Sequence, residues 1–151
     1  MVEAPVGVVW SLLTDPQNWG EFFDVRIVDV TPAGRAVVGQ LVRATAGPRV
    51  LRGRITFRFL DIDAVSHRLL IEVEFPLGIQ VMEDMTCMPL DAAHCRVNYG
   101  CHFSFRAGWR GAVTKYLLRR ELRDGPIDSL SRLKRMAERV YSNEQARQQK
   151  P

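Results

Sequence analysis

The spacing of apolar residues divides this 151-residue chain into two parts. Up to residue 106, apolar side chains recur at every second position, as in Ile55, Phe57 and Phe59, and turn residues separate the runs. This alternation predicts consecutive β-strands with one buried face, at residues 25–30, 36–44, 49–62, 68–75, 79–90 and 94–106. The hairpin spacing between these strands favours an antiparallel sheet.

From Trp109 onward the apolar period is helical, which predicts a long C-terminal helix whose apolar stripe covers the sheet. Gly125-Pro126 is expected to interrupt this helix, because proline removes a backbone hydrogen bond and clashes with the preceding turn. The kink is either a static bend or a hinge that opens a portal. The polar residues from Ser142 onward are expected to fray.

Two short helices precede the predicted strands. Pro5 suits the first turn of a helix, and Asp15 with Pro16 ends that helix and begins the next. The second helix carries Trp19 and two phenylalanines but is too short to be stable alone. Its aromatic side chains must therefore pack against the rest of the molecule.

The N-terminal segment resembles the opening of a known superfamily. The pattern is carried by Ala4, Pro5, Val9, Trp10, Leu13, Thr14, Asp15, Trp19 and Phe22. It is similar to the START-like (SRPBCC) superfamily and, more narrowly, to its polyketide cyclase/dehydrase branch. The resemblance implies a helix-grip α+β fold, with a curved antiparallel sheet of six to seven strands around a long kinked C-terminal helix and an apolar cavity.

The expected organisation is a single START-like ligand-binding domain over residues 1–141, followed by a polar tail over residues 142–151. Members of the family have a full strand before the Ala-Pro helix, where this chain has Met1, Val2 and Glu3. That first strand is therefore either very short or truncated.

The composition is that of a globular protein and argues against a membrane-spanning or metal-binding one. The chain is 46% hydrophobic and 25% charged, as in ordinary globular proteins, and no apolar run approaches the roughly 20 residues of a membrane span. Cys87, Cys95 and Cys101 lack metal-ligand spacing and read as small core residues. We therefore expect a cytoplasmic protein with no metal and no cofactor.

The positive charge is concentrated near the C-terminus. The net charge is +4, and 11 of the 21 Lys and Arg lie at or after Arg110. This indicates either a solvated helix face or a docking surface for an acidic partner such as an acyl carrier protein, with Arg119, Arg120 and Arg123 in contact. No nucleic-acid-binding motif is present, so nucleic acid is not an expected partner.

The apolar inner face of the sheet carries more large side chains than one helix stripe covers, which favours a ligand-sized cavity over a solid core. Such a pocket suits a flat hydrophobic molecule, for which a polyketide is one candidate. The expected ligand-binding residues are Trp19, Phe23, Phe57, Phe59, Ile71, Val73, Met85, Phe103, Trp109, Tyr116 and Leu117.

Two polar residues are candidates for chemistry inside that cavity. Pairing Leu90 with His94 places Glu83 opposite Cys101 on the apolar face, where desolvation raises a carboxyl pKa and suits a general acid or base. A one-residue slip would instead turn Asp84 inward. Tyr99 shares the face and either orients a carbonyl or is an ordinary core tyrosine.

The resemblance to polyketide cyclases also implies a cavity arginine with a nearby Ser or Thr, and the matching positions are Thr56 and Arg58. Alternation with Phe57 and Phe59 places both on the charged outer face, so the two inferences conflict. His67, His94 and His102 are expected at turns or on the outer surface.

The leading hypothesis is a cofactor-independent polyketide cyclase or dehydratase that binds its substrate in the cavity. The first alternative is a non-catalytic carrier or sensor of a lipid, quinone or other hydrophobic metabolite. The second is an interaction protein with a solid core and a basic binding surface. Ligand identity and oligomeric state are left open.

Overall fold

The computed structural model describes residues 1–46, 53–105 and 119–148, with side chains described outside residues 77 and 119–126. Helix α1 is followed by a short 3-10 helix, six strands and the C-terminal helix α2. In chain order these elements are α1 Val6–Leu13, the 3-10 helix Pro16–Glu21, β1 Val25–Thr31, β2 Leu41–Ala46, β3 Gly53–Asp63, β4 Arg68–Phe75, a 3-10 turn Pro76–Gly78, β5 Ile79–Pro89, β6 Cys95–Ser104 and α2 Arg119–Gln148.

The six strands form one sheet in the order β1-β2-β3-β4-β5-β6, and every neighbouring pair is antiparallel. The predicted α+β architecture, with two short N-terminal helices, an antiparallel sheet and a C-terminal helix, is confirmed. The inner face of the sheet is apolar: Leu69, Ile71 and Val73 of β4 are fully buried. Charged and polar residues occupy most of the alternate, outer positions, which also include Leu70 and Met82.

The second predicted strand is wrong at its start. The strand begins at Leu41 rather than at residue 36, and a loop covers residues 32–40. Gly39 has a φ of 85°, which a strand does not accommodate. Gln40 is completely buried, and its side-chain nitrogen Nε2 donates to the carbonyl oxygen of Pro32 at 2.6 Å and to two further loop carbonyls at 3.3 Å. The start of the third predicted strand, residues 49–52, lies outside the described residues.

The segment before α1 makes one bridge with the sheet. Val2 donates its backbone N–H to the Cys95 carbonyl at 2.9 Å, and Cys95 donates to the Val2 carbonyl at 3.1 Å. Val2 is 5% exposed, so the bridge also buries its side chain. A single bridge is compatible with both expectations, a very short first strand and a truncated one.

The aromatic residues of the 3-10 helix lie in the core. Trp19 is fully buried and donates its ring N–H to the carbonyl oxygen of Leu13 at 3.0 Å. Its ring meets those of Phe23 and Phe57 edge-on, each at a centroid distance of 5.3 Å. These contacts hold a helix that is too short to persist alone, because aromatic pairs add to the stabilisation from buried area.

Helix α2 packs on the core through buried Leu133 and Ala137. It is continuous through Gly125 and Pro126, so the predicted interruption is not observed, and a bend at that point stays a prediction. The helix also continues past Ser142 to Gln148, with exposed side chains. The predicted first turns of this helix, with Trp109, Tyr116 and Leu117, lie outside the described residues. No helix among the described residues is long and apolar enough to span a bilayer.

Candidate functional site

A carboxyl group lies on the inner, apolar face of strand β5. Glu83 is 7% exposed and sits between Val81 and Met85, which are both buried, whereas Met82 and Asp84 point to the outer face. Glu83 pairs with Cys101 on β6 and with Ile71 on β4. The predicted register and the inward orientation of Glu83 are therefore both observed, and the alternative with Asp84 inside is not.

The loop between β5 and β6 sets this register. Leu90 donates its backbone N–H to the carbonyl oxygen of His94 at 2.9 Å, which closes the hairpin at the predicted pair. Asp91 caps the loop by accepting the Ala93 N–H at 2.8 Å and by contacting the His94 ring at 2.8 Å. Because strand residues alternate between faces, a loop of fixed length determines which β6 side chains lie beside Glu83.

Burial controls the acidity of Glu83. Loss of hydration raises its pKa from the ordinary 4.5 to about 7, and the hydrogen bond with the Tyr99 hydroxyl opposes part of this rise. The second carboxyl oxygen, Oε2, is buried and has no hydrogen-bond partner among the described residues. Glu83 is thus a carboxyl that takes up and releases protons near neutral pH, with one oxygen still unpaired.

Tyr99 and Cys101 complete a polar cluster on this face. Burial raises the pKa of Tyr99, and the nearby Glu83 and Cys101 raise it further. The pKa of the Cys101 thiol rises to about 11, mainly through burial, so the thiol stays protonated at neutral pH. We expected Cys101 only as a core residue, and its position opposite Glu83 in the register was the signal that it belongs to the cluster.

The inner face is not equally covered along the sheet. The β4 residues on this face are fully buried, whereas Tyr99, Cys101 and Phe103 on β6 are only half-buried although they point to the same side. Solvent therefore reaches the inner face beside Glu83. An enclosed, ligand-sized cavity stays a prediction, because Trp109, Tyr116 and Leu117, which are expected to line it, lie outside the described residues.

The other expected ligand-binding residues with described side chains belong to the buried core. Trp19, Phe23 and the two phenylalanines of β3 pack against one another, with Trp19 lying 5.3 Å from both Phe57 and Phe59. The remaining buried members of the set are Ile71, Val73 and Met85. Their contacts with a ligand stay a prediction.

Thr56 and Arg58 lie on the outer face of the sheet. They alternate with Phe57 and Phe59, which are 3% and 0% exposed, and Arg58 pairs with Glu72 of β4. The structure therefore does not bring Thr56 or Arg58 to Glu83. The periodicity of the strand, rather than the family pattern, gives their orientation.

The three histidines lie away from the cluster. His67 is in the β3–β4 turn with a φ of 50° and meets the edge of the Trp10 ring, His94 is in the β5–β6 hairpin, and His102 is exposed on the outer face of β6. Among the described residues, no three His, Cys, Asp or Glu side chains are grouped to hold a metal ion.

The antiparallel sheet, the C-terminal helix and the short N-terminal helices define a helix-grip protein of the START-like class. The model of one family, described as "Polyketide cyclase / dehydrase and lipid transport", matches residues 1–138. The chain belongs to this family.

Several solved structures share the fold. The Zhui aromatase/cyclase from Streptomyces sp. R1128 superposes with a TM-score of 0.71 at 19% identity, covering 91% of this chain and 89% of that one. The di-domain aromatase/cyclase BexL from the BE-7585A biosynthetic pathway has a TM-score of 0.68 at 21% identity, covering 89% of this chain and 43% of the longer one.

Norcoclaurine synthase from Thalictrum flavum, a point mutant in complex with a transition-state analogue, has a TM-score of 0.63 at 14% identity, covering 90% of this chain and 88% of that one. At these identities the likeness shows the fold alone. A search among curated protein sequences finds no match to this chain.

Proposed function

We propose that the protein binds a hydrophobic small molecule between the sheet and α2 and promotes aldol cyclisation or dehydration of a poly-β-keto chain without a cofactor. Membership of the polyketide cyclase/dehydrase family supports the substrate class. The observation that carries the reaction is the buried carboxyl of Glu83 on the solvent-reachable part of the inner face. A group with a pKa of about 7 supplies both its basic and its acidic form at neutral pH.

In the proposed step, the Glu83 carboxylate removes a proton from a carbon between two carbonyl groups. The electron pair of that C–H bond forms the enolate, whose carbon bonds to a second carbonyl carbon of the same chain. The π-electrons of that carbonyl move to its oxygen, which takes a proton from the Glu83 acid formed in the first step. We expect Tyr99, which has a hydrogen-bond contact with Glu83, to orient the accepting carbonyl.

The apolar walls contribute by selecting the folded form of the substrate. A flexible chain must bring two distant carbons together. A shaped pocket holds the chain in conformations in which these carbons are already close and correctly oriented. Ile71, which pairs with Glu83 on β4, and Met85, two residues further along β5, offer only apolar contact. We expect these contacts to hold the chain while Glu83 moves the proton.

A reconstituted cyclisation assay tests this function. A poly-β-keto chain on its carrier protein is incubated with and without the protein, and the products are separated by liquid chromatography and mass spectrometry. We expect the protein to favour one cyclised product, and Glu83→Gln to slow its formation about 100-fold, which is typical of losing a general acid–base group. Glu74→Gln, an identical change on the exposed outer face, is the control. Equal rates for Glu83→Gln and the wild type would exclude the proposed role.

We further propose that an acidic acyl carrier protein docks on the first turns of α2. Support comes from the charge alone, since Arg119, Arg120 and Arg123 lie there on a chain of net charge +4. Replacing the three by alanine should weaken carrier binding, and the wild-type affinity should fall steeply with salt. Arg96→Ala, on the exposed outer face of β6, is the control. Unchanged affinity in the triple variant would rule out this docking site.

A non-catalytic carrier is the second candidate, because the family description includes lipid transport. Native mass spectrometry of protein purified from its own host distinguishes the cyclase, the carrier and the interaction protein. A co-purified aromatic product supports the cyclase, whereas a bound fatty acid or quinone supports the carrier. A protein that is empty and has a solid interior supports the interaction protein with a basic surface.

A further inference from the structure

We propose that the ligand recognised at Glu83 carries a phenolic hydroxyl, an enol fixed in an aromatic ring, whose O–H donates to the unpaired carboxyl oxygen Oε2. The inference rests on the proposed function, because it specifies the ligand of the same site. It specifies the functional group by which the ligand is recognised and the atom of Glu83 that binds this group.

The contacts within the cluster leave Oε2 of Glu83 without a hydrogen-bond donor. Tyr99 has one hydroxyl hydrogen and shares a hydrogen bond with Glu83, and it has a second contact with the Cys101 thiol. Neither contact involves Oε2, which is buried and has no partner among the described residues.

An unpaired oxygen on a buried carboxyl is costly, so a ligand that supplies a donor there gains more than the same contact would give in water. The neighbouring inner-face side chains do not supply it: Ile71, Val81 and Met85 are apolar and at most 2% exposed. Apart from Tyr99 and Cys101, the site therefore offers one unpaired acceptor beside apolar side chains. A flat ring with a single hydroxyl group matches that arrangement.

Other functional groups fit less well. A carbonyl has no hydrogen, so it leaves Oε2 unpaired whenever Glu83 is ionised. An ammonium group has three hydrogens and a strongly bound hydration shell, and this part of the face offers it few acceptors. A phenol brings one hydrogen to one oxygen and places the rest of its surface against apolar side chains.

Two probes that differ only at the hydroxyl test the proposal. The affinities of 1-naphthol and 1-methoxynaphthalene for the wild-type protein are measured by isothermal titration calorimetry at pH 8, where Glu83 is mostly ionised. We expect 1-naphthol to bind at least about 10-fold more tightly, as is typical of a hydrogen bond to a charged group. The preference should disappear in Glu83→Leu and persist in the control Glu74→Gln, which lies on the outer face.

Equal affinities for the two probes in the wild type would overturn the proposal and leave the apolar ligand site standing. A preference that persists in Glu83→Leu would also overturn it, because the hydroxyl would then be read elsewhere. If neither probe binds, the proposal fails together with the hydrophobic site on which it rests. Should Glu83→Leu not fold, the wild-type comparison still decides. A wild-type protein that prefers 1-naphthol but does not promote cyclisation would refute only the proposed reaction.

Discussion

The buried carboxyl of Glu83 should make the stability of the protein depend on pH. Its pKa is about 7 in the folded protein, whereas the ordinary value of 4.5 applies in the unfolded chain. Between these two values the folded state binds more protons than the unfolded state, so stability falls as pH rises through this interval. Below pH 4.5 the carboxyl is protonated in both states, and its ionisation costs nothing.

The change in unfolding free energy follows from the difference between the two pKa values of Glu83. One pKa unit corresponds to about 1.4 kcal/mol, so the interval from 4.5 to about 7 corresponds to about 3 kcal/mol, most of which appears between pH 5 and pH 8. Glu83→Gln removes the ionisation and keeps the shape of the side chain. Any cost of burying the amide is the same at both pH values and cancels in the comparison.

The assay is urea unfolding of wild type and Glu83→Gln at pH 5 and pH 8. On going from pH 5 to pH 8, the wild type should lose about 2 to 3 kcal/mol of unfolding free energy relative to the variant. Glu74→Gln makes the same change on the exposed outer face and is the control. If the difference between wild type and Glu83→Gln were the same at both pH values, the argument that burial raises this pKa would be refuted.

Three further predictions follow from the packing. Arg58→Ala should change the cyclisation rate less than twofold, because Arg58 is on the outer face; a loss comparable to that of Glu83→Gln would place it in the site. Gly53→Ala should lower the unfolding free energy by about 1 to 3 kcal/mol, since a Cβ there would lie 2.5 Å from Cγ of Pro76; a melting temperature equal to the wild type would contradict this contact. Gln40→Leu should lower the unfolding free energy by about 1 to 3 kcal/mol in urea unfolding, because the partly buried loop carbonyls lose their donor; an unchanged midpoint would show that water replaces it.

The orientation of Glu83 was predictable from sequence because two independent constraints agreed. The alternation of β5 assigns each residue to a face, and the three-residue loop at 91–93 fixes the pairing with β6. The same alternation correctly oriented Arg58 against the family pattern. Period and loop length are local properties, so the sequence contains them in full.

The start of β2 was not predictable in the same way. Ala36, Val37 and Val38 have the composition of a strand, but Val37 and Val38 are 48% and 61% exposed in a loop. The conformation there depends on Gly39, on the hydrogen bonds of the Gln40 side chain with the loop, and on the backbone bonds of residues 39 and 40 with Phe59. Strand propensity describes a residue's fit to a pleated surface and contains no information about such contacts.

The cluster around Glu83 was predictable only in part. Tyr99 was expected on the same face, but the contact of its hydroxyl with both Glu83 and Cys101 depends on side-chain conformations that spacing does not specify. The half-buried state of Tyr99 and Cys101 depends on how closely neighbouring elements cover them, and sequence periodicity does not give that distance.

The Asp91-capped hairpin has a consequence for how this family member can change over evolution. Insertion or deletion of one residue in that turn would shift the pairing of β6 by one residue and move each of its side chains to the opposite face. Strand β5 would keep its pairing with β4. Asn98, Gly100 and His102 would then face the carboxyl in place of the phenol and the thiol. A single indel at the surface would thus exchange the chemistry of the interior with no substitution inside it.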